Sequence, residues 1–331
     1  MSQSSVGRKM TRWFAATMSA LAIGASAQAA DQKKSPQDLI DALHGTFGAH
    51  QARAVHTKGV MVTGTFTPSQ EARTLTKASL FTQGELSVIA RFSLFAGVPD
   101  IPDTANGAAP TGLAVKVMGK DGTDYDFVTD QHNGFVVATS DEFAHFLHLV
   151  ATSGPSVKHP TPLERFLDTH PVSKHFVETL TSPASYATAT FFGINSFKFT
   201  NAEGKSAFVR YRFVPDAGEH YLKPEELKAM GPDYLQTDIV ARIEKKPVRF
   251  DWYAQIAEDG DKIEDPSIPW PESRKLVRLG SFAFSGLPND RATADKQTLF
   301  LPGTSHPGID AADPMLIFRN HTYPISFGER Q

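Results

Sequence analysis

Residues 313–331 of the chain read DPMLIFRNHTYPISFGERQ. This pattern predicts a last short helix that starts at Asp313 and runs towards Tyr323. Arg319 and Tyr323 would share one face of that helix, because residues four apart are neighbours there. A guanidinium beside a phenol favours the phenolate by lowering the phenol's pKa, which is about 10 when unperturbed. A phenolate is a hard, electron-donating ligand for ferric iron. Taken alone, such a pair also fits a surface cation–π contact.

The composition is that of an ordinary globular protein. The chain has 331 residues, a formal net charge of -3, 40% hydrophobic residues and 21% charged residues, so it can form a sizeable core. No basic block is present, which argues against a nucleic-acid-binding protein. The absence of cysteine excludes disulfides, thiolate-bound haem, iron–sulfur clusters and cysteine-based zinc sites.

The first 29 residues have the features of a signal peptide. Arg8, Lys9 and Arg12 form a positive start, an apolar stretch follows over 13–25, and Ala27-Gln28-Ala29 offers a cleavage site. The apolar stretch is short for a membrane span, although a retained anchor is the alternative. We therefore expect export to the periplasm or the medium, with residues 30–331 as one mature domain that does not associate with a membrane.

The apolar periodicity predicts an α+β fold, in which an antiparallel β-barrel carries inserted and flanking helices. Gly64 is expected to mark a bulge or a close backbone approach in the first strand, and Ser140 to cap a helix. Residues 287–312 are expected to be irregular. Helices are predicted within 30–52 and over 140–151, 224–230 and 232–245. Strands are predicted over 59–66, 86–95, 113–118, 125–129, 187–200, 206–214, 248–256 and 276–284.

Several short segments extend the pattern of the C-terminal stretch. They are RAVHTKG at 53–59, RFS at 91–93, TGLAVKV at 111–117, FLP at 300–302 and PGI at 307–309. In this order, and with Arg330 seven residues after Tyr323, they resemble the haem catalases. The resemblance runs from about residue 36 to residue 330 and so covers nearly the whole mature chain.

On the proximal side, the resemblance implies that Tyr323 is the axial ligand of a haem iron. It implies that Arg319 strengthens the phenolate character of Tyr323 and that Arg330 binds a haem propionate. One b-type haem (heme b) per chain is expected.

On the distal side, the resemblance implies that His56 is the general acid–base and that Ser93 accepts a hydrogen bond from its ring. A neutral imidazole can take a proton from peroxide and return it to the leaving oxygen. Arg53 and Arg91 are expected to bind propionates. Phe143 is expected to line the distal pocket, whereas we expect Phe135 to be an ordinary core residue.

One position departs from the family. Catalases carry an asparagine in the loop after the segment that corresponds to Asp126-Phe127-Val128, and a gap-free reading puts Asp130 there. Gln131 would replace the amide if the loop shifts by one residue, and Asn133 is displaced by three. An acidic residue is disfavoured in a buried site unless it is protonated or paired. This departure puts efficient oxidation of a second peroxide molecule in doubt.

The reduced core, without the C-terminal helical and flavodoxin-like domains of larger catalases, resembles the catalase-related peroxidases. The implied function is a haem-dependent peroxidase that reduces hydrogen peroxide or organic hydroperoxides, oxidises a small organic donor, and has weak or no catalase activity. A monomer or homodimer is expected. Two alternatives remain: a catalase relative that rearranges hydroperoxides, against which Val55 speaks because those enzymes carry a hydroxyl residue there, and a non-enzymatic periplasmic haem-binding protein.

Overall fold

Strands with alternating apolar residues build the centre of the molecule, as the strand Val248–Ile256 illustrates. Its residues Val248, Phe250, Trp252 and Ala254 are buried, and they point to one face because side chains alternate along a strand. The structure is a computed structural model that describes residues 33–331. The predicted signal peptide, residues 1–29, lies outside the described residues.

The helices are α1 (Pro36–Phe47), α2 (Ser140–Ala151), α3 (Pro162–Thr169), α4 (Pro171–Thr179), α5 (Pro224–Lys228), α6 (Tyr234–Lys245), α7 (Arg291–Gln297) and α8 (Pro314–Glu329). The strands are β1 (Gly59–Pro68), β2 (Leu86–Leu94), β3 (Thr111–Met118), β4 (Asp124–Asp130), β5 (Ser182–Pro183), β6 (Phe191–Thr200), β7 (Ser206–Pro215), β8 (Tyr221–Leu222), β9 (Val248–Ile256), β10 (Leu276–Gly286) and β11 (Ile309–Ala311). Short 3-10 helices lie at Glu71–Thr74, Ser79–Phe81 and Tyr186–Thr188. Within residues 33–331, no helix is long and apolar enough to cross a membrane.

Eight of the strands close into an antiparallel barrel. Their order is β6-β4-β3-β2-β1-β10-β9-β7, and β7 pairs with β6 to complete the ring. Strand β11 extends the sheet beside β6, and β5 and β8 form a separate small pair. The predicted α+β fold with an antiparallel barrel is confirmed.

Aromatic side chains fill the barrel. Phe92, Phe213, Trp252 and Phe282 are fully buried, and the ring centroids of Phe213 and Phe282 are 5.3 Å apart. Fully burying one such side chain stabilises a fold by roughly 1.5–3 kcal/mol. Because side chains occupy the interior, a large ligand must bind outside the barrel.

The predictions for individual positions had mixed outcomes. The pairing of β1 with β10 shifts its register between Thr63 and Gly64, so the bulge is confirmed, and a Cβ at Gly64 would lie 2.1 Å from the Ala283 carbonyl oxygen. The prediction that Ser140 caps α2 is wrong. Thr139 is the N-cap, and it forms a capping box with Glu142.

The C-terminal part of the chain is more ordered than predicted. Residues 287–312 contain α7 and β11, which the sequence did not suggest. Helix α8 does not end near Tyr323 but continues through Pro324 to Glu329. Its last turns pack near the N-terminal loop, where the Ala54 amide donates to Ser326 Oγ at 3.1 Å.

Candidate active site

A cavity of about 1340 Å³, counting the part open to solvent, lies between the outer wall of the barrel and helices α1, α2 and α8. Its lining is mainly apolar, and it contains His56 and Tyr323. The residues that sequence analysis assigned to opposite sides of a cofactor therefore share one cavity.

Three neighbouring strands build one wall of the cavity in register. Ser93 on β2 pairs with Gly112 on β3, which pairs with Asp130 on β4. Directly opposite residues in an antiparallel sheet lie roughly 4.5–5.5 Å apart. Successive side chains along a strand point to opposite faces of the sheet. The neighbours of Ser93, Gly112 and Asp130 point into the barrel, so these three residues point outward, towards the cavity.

His56 lies against this row. Its Nδ1 is 3.0 Å from Ser93 Oγ, and its ring meets that of Phe95 edge-on with centroids 5.5 Å apart. Its backbone has a φ of 57°, which is uncommon outside glycine and costs on the order of 1–3 kcal/mol. The His56 amide bonds to the Phe95 carbonyl, which helps to hold this conformation.

The surroundings keep His56 neutral. Burial lowers its pKa to about 3, and the positive charges of Arg91, Arg319 and Arg53 act in the same direction. A neutral imidazole whose Nδ1–H bonds to Ser93 presents an unprotonated Nε2 as a proton acceptor.

Gly112 leaves the space that His56 needs. A Cβ at this position would lie 2.9 Å from His56 Cε1 and 3.2 Å from Ser93 Oγ. We therefore expect Gly112→Ala to displace the imidazole and to slow the reaction with peroxide by roughly 10- to 100-fold, the usual cost of a 1 Å misplacement. Stopped-flow measurement of the reaction with peroxide tests this prediction. Gly154→Ala is the control, because an added Cβ there would meet no atom within 4 Å, whereas Gly122 has a positive φ and is unsuitable. An unchanged rate in Gly112→Ala would show that the position of His56 does not depend on Gly112.

Asp130, and not Gln131, lies against the cavity. Burial raises the pKa of Asp130 to about 7, although the His132 amide, which donates to Oδ1 at 2.9 Å, and Arg319 lower it. The Gln131 side chain lies outside the cavity lining and bonds to Thr111 and Thr181. The prediction that Gln131 supplies a distal amide therefore has no support in the geometry.

Phenylalanine rings form another wall. Phe143, on α2, lines the cavity as predicted, and its centroid lies 6.5 Å from that of Phe95. The prediction that Phe135 is only a core residue is wrong, because Phe135 also lines the cavity and meets Phe143 edge-on at 4.8 Å.

The proximal wall belongs to α8. The spacing prediction holds, since Arg319 donates to the Tyr323 hydroxyl from Nε at 2.9 Å and from Nη2 at 2.6 Å. Arg319 Nη1 donates to Asn195 Oδ1, and Asn195 Nδ2 donates to Asp313 Oδ2 at 2.8 Å. Asp313 is also the N-cap of α8, so one chain of hydrogen bonds fixes the helix and its tyrosine.

Three arginines at the edge of the cavity form what we call the arginine rim: Arg53, Arg91 and Arg330. The resemblance to catalases predicts that all three bind haem propionates. In the structure, all three arginines donate hydrogen bonds to protein groups. Those of Arg53 and Arg330 go to residues 295–298. Those of Arg91 go to Asp295 and to the carbonyl oxygens of His56 and Thr57. Nη1 of Arg53 and Nη1 of Arg330 have no hydrogen-bond partner within residues 33–331.

The donor set fits a haem. Burial lowers the pKa of Arg53 to about 9 and that of Arg330 to about 10, so both stay charged at neutral pH. Cations with free N–H groups beside a cavity favour an anionic ligand, and an apolar cavity with one tyrosine hydroxyl suits a flat iron porphyrin. The described residues contain no group of three or more histidine or acidic side chains that could hold a bare metal ion.

Comparison with known proteins agrees with the fold and the motifs. Residues 49–330 match the family model described as Catalase. The chain belongs to the catalase family.

Two relatives within this family are similar in length to the chain. The "Catalase-related peroxidase" of Synechococcus elongatus is 30% identical over 329 residues and is covered to 96%, as is this chain. The "Catalase-related peroxidase" of Mycolicibacterium paratuberculosis is 35% identical over 297 residues, which cover 88% of this chain and 93% of the relative.

Solved catalases share the fold. Catalase A from Saccharomyces cerevisiae superposes with a TM-score of 0.75 at 23% identity over 84% of this chain, and a fungal catalase gives 0.75 at 24% identity over the same share. The chain spans about three fifths of those two chains, 61% and 59% respectively.

Proposed function

We propose that this protein is a haem-dependent peroxidase with weak or no catalase activity. One observation carries the proposal: a neutral histidine backed by Ser93 and an arginine-bound tyrosine hydroxyl line the same apolar cavity. Two similar relatives bear the name catalase-related peroxidase, which supports it. Tyr323 would bind the iron of a b-type haem, one per chain, and the arginine rim would bind its propionates.

A haem held by these residues would supply the redox chemistry, namely two electrons for cleavage of the O–O bond of a peroxide, and the organic donor would replace those electrons. His56 Nε2 accepts the peroxide proton and returns it to the departing oxygen, so that water or an alcohol leaves. Ser93 Oγ accepts from Nδ1–H and fixes the tautomer and tilt of the ring. On α8, Arg319 would orient the Tyr323 oxygen towards the iron, because its Nε and Nη2 groups both donate hydrogen bonds to that oxygen.

Steady-state assays separate the peroxidase from a catalase. We expect purified holoprotein to oxidise an aromatic dye donor with hydrogen peroxide and with an alkyl hydroperoxide, while it releases little oxygen from hydrogen peroxide alone. Rapid oxygen release without donor oxidation would contradict the proposal. We propose a small organic molecule as the electron donor, because the cavity is partly open to solvent. We also propose that the protein is a monomer or a homodimer, and light scattering tests this.

Asp130 should limit catalase activity, and Asp130→Asn should raise it. Above pH 7 the ionised carboxylate repels electron-rich peroxide oxygens, whereas an amide can donate to them at any pH. We expect the variant to raise the ratio of oxygen release to donor oxidation severalfold at pH 8. It should also lose the inflection near pH 7 in the pH–rate profile. A ratio and profile equal to those of the wild type would show that Asp130 does not act in the pocket.

The same variant should alter the pH dependence of stability. A folded pKa of about 7 lies above the reference value of 3.8, so the stabilisation from neutral Asp130 is complete below pH 4 and is lost as the pH rises to 7. His56 has the opposite dependence because its folded pKa is depressed. The difference in Tm between Asp130→Asn and wild type therefore isolates Asp130, and it should grow in favour of the variant between pH 4 and pH 7.

We also propose export to the periplasm or the medium, from the sequence of residues 1–29. N-terminal sequencing of the protein from the producing cells should find Ala30 as the first residue. An intact Met1 on the accumulated protein would contradict export by cleavage.

A further inference from the structure

The arginine rim converges on one short segment, residues 295–298, which sequence analysis left unassigned. Asp295 Oδ1 accepts from Arg53 Nη2 at 2.9 Å and from Arg91 Nε at 2.7 Å, and Oδ2 accepts from Arg91 Nη2 at 3.1 Å. Arg330 donates to the carbonyl oxygens of Lys296 and Thr298 at 3.1 and 2.8 Å. One carboxylate on α7 thus bridges two of the three arginines.

Arg91 connects this carboxylate to the backbone of the distal histidine. Its Nη1 donates to the His56 carbonyl oxygen at 2.6 Å, and its Nη2 donates to the Thr57 carbonyl oxygen at 2.8 Å. His56 has a φ of 57°, so the guanidinium, together with the Phe95 carbonyl, helps to hold a strained backbone conformation. With 3% of its surface exposed, Arg91 has little freedom once both ends are bonded.

The charges of the segment complement a dianion. Three guanidinium groups and one carboxylate leave two net positive charges, which match the two propionates of a haem. Burial disfavours the charged form of Asp295, but Arg91 and Arg53 together hold its pKa below the ordinary value. Asp295 is therefore ionised at neutral pH and reduces the positive charge of the rim.

We propose that Asp295 is a positioning residue with two separable effects: it fixes Arg91, and through it His56, and it lowers the positive charge that attracts the haem propionates. This inference rests on the proposed haem peroxidase function. The first effect acts on the reaction with peroxide, and the second acts on the retention of haem. Removing the charge should slow the reaction with peroxide and should also slow the loss of haem. A general loss of structure would instead speed the loss of haem.

Asp295→Asn keeps the shape of the side chain and removes its charge. Arg91 then loses an ionic partner, so the reaction of the holoprotein with hydrogen peroxide should slow by roughly 10- to 100-fold in stopped flow. The uncompensated rim attracts the propionates more strongly, so haem transfer to excess apomyoglobin should slow by roughly tenfold. A slower reaction together with faster haem loss, or two unchanged rates, would overturn the proposal.

A second variant keeps the charge and moves it. Asp295→Glu should leave the rate of haem transfer within about twofold of wild type, because the charge is retained. It should still slow the reaction with peroxide, because the longer side chain displaces Arg91. This variant decides the matter if Asp295→Asn does not fold, and an unchanged reaction with peroxide would again overturn the proposal.

Asp290→Asn provides the matched control. Asp290 is the exposed N-cap of the same helix and bonds to Thr293, so Asp290→Asn removes a carboxylate charge from α7 without touching the arginine rim, while asparagine keeps the cap. Both rates should equal those of the wild type, and a change like that of Asp295→Asn would overturn the proposal by tracing the effect to α7 as a whole. Failure of the wild type to bind haem would instead refute the proposed function.

Discussion

Tyr323→Phe is expected to abolish the retention of ferric haem. The phenyl ring fills the same space but offers no oxygen to iron, and Arg319 loses the acceptor of its Nε and Nη2 groups. Changes outside the ligand sphere cost roughly 10- to 100-fold in metal affinity, so loss of the ligand itself should cost at least as much. The haem content after gel filtration and the absorbance spectrum of whatever haem remains measure the effect.

Tyr253→Phe is the control for this experiment. Tyr253 lies on β9, its hydroxyl bonds to Asp251 at 3.4 Å, and it does not line the cavity. It should retain haem with the wild-type spectrum. If Tyr323→Phe also binds and holds ferric haem with an unchanged spectrum, the axial ligand is another residue and the proposed function loses its basis.

The barrel could be predicted because its sequence pattern repeats. Alternating apolar residues such as Phe250 and Trp252 mark strands, and hairpin turns between them set the antiparallel order. Helix α7 could not be predicted, because its sequence RATADKQ has no apolar face and the helix begins with the cap at Asp290. Helix α8 was predicted to end early because proline usually ends a helix, yet Pro324 lies inside it.

In the candidate site, too, some residues could be predicted from the sequence and others could not. Residues of a fixed local spacing, such as Arg319 and Tyr323, could be paired from sequence alone. The role of Gly112 depends on strand register, since it faces His56 only because it pairs with Ser93. Asn195 and Asp295 also escaped notice, because each meets its arginine across more than a hundred residues of chain and no motif surrounds it.

His56→Ala is expected to slow the reaction with peroxide by roughly 10²- to 10⁴-fold, the usual contribution of a general acid–base group. Haem content should not change, because the proposed ligand is Tyr323 on the opposite wall. Since burial lowers the pKa of His56 to about 3, the wild-type rate should not fall through protonation of this histidine between pH 7 and pH 4. Stopped-flow rates across that range measure both effects.

Two further variants make this experiment decisive. Asparagine tolerates a positive φ better than most residues, so His56→Asn keeps the backbone of 57° while it removes the base. It should therefore be as slow as His56→Ala, whereas His148→Ala, an exposed residue on α2, should react like the wild type. If both His56 variants keep haem and react at the wild-type rate, the imidazole is not the proton acceptor. The cavity would then bind haem without the acid–base chemistry of a peroxidase, as a haem carrier does.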